Sequence, residues 1–140
     1  MGTATIANVP TRVIAVAVAV CALAAGLGIR LAGNAGVDGS RVLAQRSGTA
    51  LYASMVYAGV VFLWPRMSPL RAGGIAVGFC WLVEAFQLTG IPAELSARSV
   101  VARLALGAQF DAADLAWYPI GIVPLVALHQ LLRARFREEP

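Results

Sequence analysis

Four long apolar runs, closed by arginine, proline or glycine, divide the chain. They cover residues 13–29, 47–64, 72–91 and about 112–132. The first lies between Arg12 and Arg30, and Pro65 stops the second. Gly90 and Pro92 stop the third, and Arg133, Arg135 and Arg137 close the fourth. Runs of about 17–25 apolar residues match the thickness of a bilayer core. In hydrocarbon such a run must be helical, because no water is present to satisfy its backbone. The pattern predicts an all-α, single-domain integral membrane bundle of four transmembrane helices over residues 1–140. Residues 94–109 mix Val100, Val101, Leu104 and Leu106 with Arg98 and Arg103. They predict a short amphipathic or re-entrant helix between the third and fourth spans.

The connections follow from the same pattern. Residues up to Arg12 form a polar leader. Leu31 to Arg46 reads as a loop with a short helix from Ser40, and Arg66 to Arg71 as a tight turn around Pro69. The first run also admits a cleaved signal peptide, with Arg12 as its basic region and Ala22-Leu23-Ala24 as a cleavage site. Its apolar character continues to Ile29, which favours a retained helix. Pro119 and Pro124 predict kinks in the fourth helix, whose freed carbonyls neighbouring helices must satisfy.

Composition narrows the class. Hydrophobic residues make up 59% of the chain and charged residues 13%, with a mean hydropathy of +0.76. A soluble domain of 140 residues could not cover that much apolar surface. All eleven basic residues are arginine, and the net charge is +4. Arginines beside apolar spans anchor and orient a membrane protein, so nucleic-acid binding is not expected. Arginine without lysine, with abundant Ala, Gly and Val, fits a GC-rich bacterial genome. Cys21 and Cys80 fall inside spans, with no CxxC pair and a single His129. No metal site and no cofactor is expected. Four spans put both termini beside the Arg66–Arg71 turn. That side has six arginines (12, 66, 71, 133, 135 and 137) against five on the other (30, 41, 46, 98 and 103). The expectation is a multi-pass protein of the bacterial inner membrane with cytoplasmic termini.

Candidate chemistry gathers where the second helix starts, the third ends and the fourth starts. Glu84 lies inside the third run, ~12 Å from Pro92 at 1.5 Å per residue. A carboxylate at the centre of a span costs ~2.5–3.5 kcal/mol, so it must face other helices or a wet cavity. Cys80, Glu84 and Gln87 share one helix face, as do Asp111, Asp114, Tyr118 and Gly121, and Thr49, Tyr52 and Gly59. A polar pocket of Glu84, Gln87, Asp114, Tyr118, Thr49 and Tyr52 is therefore expected, with Arg98 or Arg103 over it. Each member also has a plain structural reading. Asp111 and Asp114 suit a helix N-terminus as N-cap and N3. The tyrosines suit an interfacial belt and the arginines lipid head groups. Gln87 suits a helix–helix hydrogen bond.

The chain resembles a family in several places. Gly48-x-x-Leu51-Tyr52 with Val56-Tyr57, then Val83-Glu84-x-x-Gln87-Leu88 and Arg98 follow in order. Leu106-Gly107-x-x-Phe110 and Asp114-Leu115-x-x-Tyr118-x-x-Gly121 complete the set. These elements resemble the small bacterial membrane proteins grouped as domain of unknown function 2809, and more distantly VanZ-like proteins. The resemblance covers roughly residues 30–125 and implies a membrane bundle of four or five helices. It implies an acid after the glycine of the second helix, where this chain has Thr49. The distant likeness implies a role with envelope lipids or in glycopeptide resistance.

The function expected is binding of an envelope lipid or lipid-linked head group in a polar pocket near the outer leaflet, or service as an accessory subunit. Membrane lipids, a larger membrane complex or further copies of the chain would be its partners. One alternative is an intramembrane enzyme with Glu84 and Asp114 as acid/base pair, whose different environments would separate their roles. Another is proton or small-solute transport through Glu84. No nucleophile motif accompanies the acids, which leans against catalysis.

Overall fold

The computed structural model describes residues 8–33 and 38–138. Six helices follow in order: α1 (Asn8–Gly33), α2 (Asp38–Leu63), α3 (Pro69–Gln87), α4 (Ile91–Arg98), α5 (Val100–Leu106) and α6 (Asp114–Glu138). No strand occurs among the described residues. The all-helical expectation therefore holds, with several boundaries moved. Helix α1 starts at Asn8, inside the stretch expected as a polar leader, and runs on to Gly33. Helix α2 starts at Asp38, so the residues up to Arg46 expected as loop are largely helical. The single segment expected over 94–109 is two short helices, α4 and α5. They part at Ser99, whose extended backbone breaks α4 and whose Oγ accepts from the Ala102 N–H at 3.3 Å to start α5. Residues 1–7 and 34–37, and the side chains of Arg30, Arg41 and Arg137, lie outside the described part.

Among the described residues three helical stretches are long and apolar enough to cross a membrane: Thr11–Ile29, Pro69–Gln87 and Asp114–Arg135. Four were expected; α2 is the one not among them. Its 26 residues reach ~39 Å at 1.5 Å per residue, but polar residues from Asp38 to Thr49 dilute its first half. The large apolar side chains of the three spanning helices mostly point outward, among them Val20, Leu27, Leu82, Val123 and Leu131. A helix with its greasy face turned out is arranged for lipid, not water. The chain is a membrane protein.

Packing inside relies on small side chains. Ala53, Ala72, Ala76 and Cys80 are fully buried, joined by Tyr57, Tyr118 and Ile122. Lipid is as apolar as leucine, so membrane helices gain by close backbone approach and internal hydrogen bonds. Gly121 is the tightest such approach. A Cβ there would overlap the backbone carbonyl of Ala50, with its carbon 2.7 Å away. Helix α1 packs along α2, and α2 and α3 both pack on α6. Two hydrogen bonds fix the directions: Arg12 Nε donates to the Phe62 carbonyl at 3.1 Å, and Arg133 to the Pro65 carbonyl at 3.5 Å. One end thus gathers the starts of α1 and α3 and the ends of α2 and α6. The opposite end gathers the start of α2, the end of α3, α4, α5 and the start of α6.

Helix α6 passes through both prolines. Pro119 has no N–H to give the carbonyl four residues earlier, that of Leu115. Trp81 on α3 supplies the missing donor, with its Nε1 3.0 Å from that oxygen. The expected compensation by a neighbouring helix is present at this position.

Candidate functional site

Glu84 is fully buried. One turn before the end of α3, it points at the turn that leads into α6. Its Oε1 accepts from the backbone N–H of Asp111 at 2.6 Å, and its Oε2 from the Tyr118 hydroxyl at 2.6 Å. The carboxyl group thus supplies an acceptor to each of two donors, one buried and one part-buried, that have no other among the described residues. Asp111 in turn organises the α6 start. Its Oδ1 accepts from the Ala113 N–H at 3.0 Å, and its carbonyl from the Asp114 N–H at 2.9 Å. It therefore caps the turn before the helix through its second neighbour, an Asx-turn in place of the expected N-cap. Asp114 opens the helix, where its charge meets the positive end of the dipole.

Arg46 on α2 joins the two aspartates. Its guanidinium reaches Asp111 Oδ2 at 2.7 Å and Asp114 Oδ1 at 3.1 Å. Thr49, one turn along the same face, donates to Asp114 Oδ1 at 3.1 Å. The Arg46 and Asp111 side chains keep 21% and 33% of their surface exposed, so this edge of the cluster is open. The Ala113 N–H, and after it the Arg46 guanidinium, hold the Asp111 carboxyl below the usual carboxylate range. The two aspartates hold Arg46 above its ordinary value.

The remaining expected residues attend to helix ends. The last carbonyls of a helix lack intrahelical partners, and those of α5 are met by side chains from two neighbours. Tyr52 on α2 donates to the Ala105 carbonyl at 2.8 Å, and Gln87 on α3 to the Leu106 carbonyl at 2.6 Å. Gly107 follows with φ +67, and a Cβ there would sit 2.6 Å from Gln87 Nε2. Both the backbone sign and the space demand glycine. Ser96 and Arg103 tie α4 to this corner. Ser96 Oγ donates to the Gly107 carbonyl at 2.7 Å, and Arg103 donates through Nε and Nη2 to the Ser96 carbonyl at 3.3 and 3.0 Å. Gln87 Oε1 is buried with no hydrogen-bond partner.

Glu84, Tyr118, Asp114 and Thr49 thus form one network. Tyr52 and Gln87 flank it at the end of α5. Arg103 is engaged with Ser96, and Arg98 is exposed with no hydrogen bond or ion pair among the described residues. The cation that meets the carboxylates is Arg46, which sequence reasoning placed in a loop. Its spacing of three from Thr49 was the available signal, since a continuous helix puts both on one face. Asp111 was placed on the face of Asp114 and Tyr118 and read as an N-cap, but not as a member of the pocket. Ser54, which donates to the Gly121 carbonyl at 2.8 Å, and Tyr57, whose hydroxyl is 2.8 Å from His129 Nδ1, also join α2 to α6. No group of three or more metal-ligating side chains occurs among the described residues.

Residues 39–122 match the family described as protein of unknown function (DUF2809). The chain belongs to this family. The DUF2809 match contains every member of the network, from Arg46 to Tyr118, and leaves out α1. The family unit is therefore the three-way junction of α2, α3 and α6 with its α4–α5 corner. Neither the curated proteins nor the solved structures give a match.

Proposed function

We propose that this DUF2809 chain is a non-catalytic multi-pass module that serves as an accessory subunit in a larger membrane assembly. In this reading α2 is a fourth span, and the Glu84 network locks the ends of α2, α3 and α6 together. The observation that carries it is the state of Glu84: no exposed surface, with each oxygen taken by a donor of the protein itself. A general acid or base needs hydrogen-bond reach to a substrate proton, and a proton relay needs a wet path. The other half of the supposed acid/base pair is likewise occupied, since Asp114 Oδ1 receives both Arg46 and Thr49.

A second reading has its own support. The part-exposed Arg46–Asp111 edge and the unpartnered Gln87 Oε1 are groups left over for a polar head group. Three carboxyl groups against one guanidinium disfavour a phosphate there. They suit the hydroxyls of a lipid-linked sugar, and the VanZ-like resemblance adds a fold-level analogy with envelope chemistry. The arginine-rich end would lie in the cytoplasm of a bacterial cell, with the network facing the outer leaflet.

Native mass spectrometry of the full chain, extracted in mild detergent, separates the readings. The accessory role predicts a defined assembly of larger mass that survives Glu84→Gln. The head-group role predicts a retained lipid that is lost in Asp111→Asn. A bare chain in every detergent would sink both.

A further inference from the structure

Helix α6 carries both of its prolines inside the spanning stretch Asp114–Arg135. Each lacks the N–H that the carbonyl four residues earlier would receive. The first break is closed, because Trp81 of α3 donates to the Leu115 carbonyl at 3.0 Å. The second is not. Pro124 leaves the Ile120 carbonyl without its helical donor, and no side chain among the described residues replaces it. Ser54 of α2 reaches the next carbonyl instead, that of Gly121, at 2.8 Å. Ile120 and Val123 keep 53% and 61% of their surface exposed, and Pro124 and Ala127 are exposed beside them, so no described helix covers the break. It lies near the midpoint of the spanning stretch. At that depth lipid offers only its tails and water is absent, so neither supplies a donor.

We infer that the Pro124 face of α6 docks a transmembrane helix of a partner protein, whose hydroxyl or amide side chain donates to the Ile120 carbonyl. This rests on the accessory role proposed above and gives its partner a face and a chemistry. A backbone carbonyl without a donor in hydrocarbon is costly, and a neighbouring helix is the usual source of the missing bond. Trp81 shows that remedy one break earlier on the same helix, a side-chain N–H brought in by α3. The outward face around Pro124 consists of Ala116, Ile120, Val123, Pro124 and Ala127, none of which has a side-chain donor. Two copies of the chain meeting through this face would present the same residues to each other, and the break would stay open. The partner is therefore a different helix, apolar, with one Ser, Thr, Asn or Gln near its centre.

The full-length protein in lipid vesicles, mixed with a labelled polyleucine transmembrane peptide that carries one central asparagine, tests the assignment by energy transfer. At dilutions where the peptide alone is monomeric, it should bind about three- to twentyfold tighter than an all-leucine peptide, the range that one hydrogen bond between membrane helices gives. Pro124→Ala returns an N–H to the Ile120 carbonyl and should erase the preference. Pro119→Ala, at the break that Trp81 already closes, should keep it. An unfolding midpoint no lower than the parent's verifies that both variants fold. Carbonyl-labelled isoleucine with nitrogen-labelled glycine isolates a single peptide group for NMR, because Ile120-Gly121 is the one Ile-Gly pair in the sequence. Its carbonyl resonance should move in the hydrogen-bonded direction with the asparagine peptide and stay in place with the all-leucine one. Equal binding of the two peptides, a preference that persists in Pro124→Ala, or a resonance indifferent to the asparagine would overturn the docking face. Should that happen while native mass spectrometry still shows a larger assembly, the face falls and the accessory role stands.

Discussion

If Glu84 is a lock, its removal should unfold the bundle out of proportion to its size, and the graded variants should rank by the acceptors they keep. Glu84→Ala strands two donors, the part-buried Asp111 N–H and the buried Tyr118 hydroxyl. An unsatisfied buried donor costs about 1–3 kcal/mol, so two of them give roughly 2–6 kcal/mol before any cavity is counted. Tyr118→Phe removes only the helix–helix bond. Measured side-chain hydrogen bonds inside membranes average about 0.6 kcal/mol and reach about 1.7, because the unfolded chain in lipid finds other partners. That variant should fall in this lower range. Glu84→Gln keeps an oxygen for the Asp111 N–H and turns its amide to the tyrosine oxygen, so its loss should resemble that of Tyr118→Phe.

Reversible unfolding in mixed detergent micelles, followed by the emission of Trp64, Trp81 and Trp117, gives the three free energies. Amide exchange at Asp111 gives a local reading of the same bond. The order expected is Ala much worse than Gln, with Gln close to Tyr118→Phe, and exchange at Asp111 accelerated only by the alanine. A Glu84→Ala protein within about 0.5 kcal/mol of the parent, the usual range for surface changes, would refute the lock. Glu84 would then have to be kept for chemistry, and the accessory role would fall with it.

Other perturbations probe the neighbouring contacts. Gly121→Ala should push α2 from α6, because the new Cβ overlaps the Ala50 carbonyl; overpacking of this kind costs about 1–3 kcal/mol, read from the same unfolding curves. Trp81→Phe should leave the Leu115 carbonyl without a donor at the Pro119 break, a loss of about 1–3 kcal/mol that Trp81→Leu should match. Acid should act through Asp111. Its folded value lies below the ordinary aspartate value of about 3.9, so the stability it contributes is complete above that value and disappears as pH falls through the lower, folded one. The unfolding midpoint should therefore be insensitive to this group between about pH 5 and 7 and fall below about pH 4, with Asp111→Asn flattening that acid limb.

How far the sequence led depended on how local each cause was. Helix α3 was readable because Pro69, Gly90 and the apolar run between them are local signals. So was the demand that Glu84 find partners, since the cost of a charge in hydrocarbon does not depend on topology. Which partners it found was another matter. The backbone N–H of Asp111 carries no side-chain signature, and it becomes a donor only because the chain turns there before α6. Arg46 escaped notice because Asp38 to Arg46 has the composition of a loop. Its helical state comes with the distant contacts of Arg46 to Asp111 and Asp114, which local preference does not record. The break at Ser99 was hidden for the opposite reason: the run from Leu95 through Val100 and Val101 reads as continuous, and one extended serine ends α4 and caps α5.

The two ends of the bundle stand in contrast, and the contrast bears on what each can do. At the network end, carboxyl groups and a guanidinium consume one another's hydrogen-bonding capacity, while other side chains close off carbonyls that α4 and α5 leave open and Glu84 takes up an N–H of the turn into α6. Polar groups used this way buy rigidity, and a rigid corner transmits little to a ligand beyond its exposed edge. At the arginine end Arg12 and Arg133 meet backbone carbonyls, and Arg71 engages nothing among the described residues. The family match reinforces this division, because it includes the whole network but begins after Arg12. The lock lies inside the matched residues, whereas Arg12 comes from α1, outside them. A version of the chain without α1 should therefore keep the Glu84 contacts while losing the bond of Arg12 to the Phe62 carbonyl.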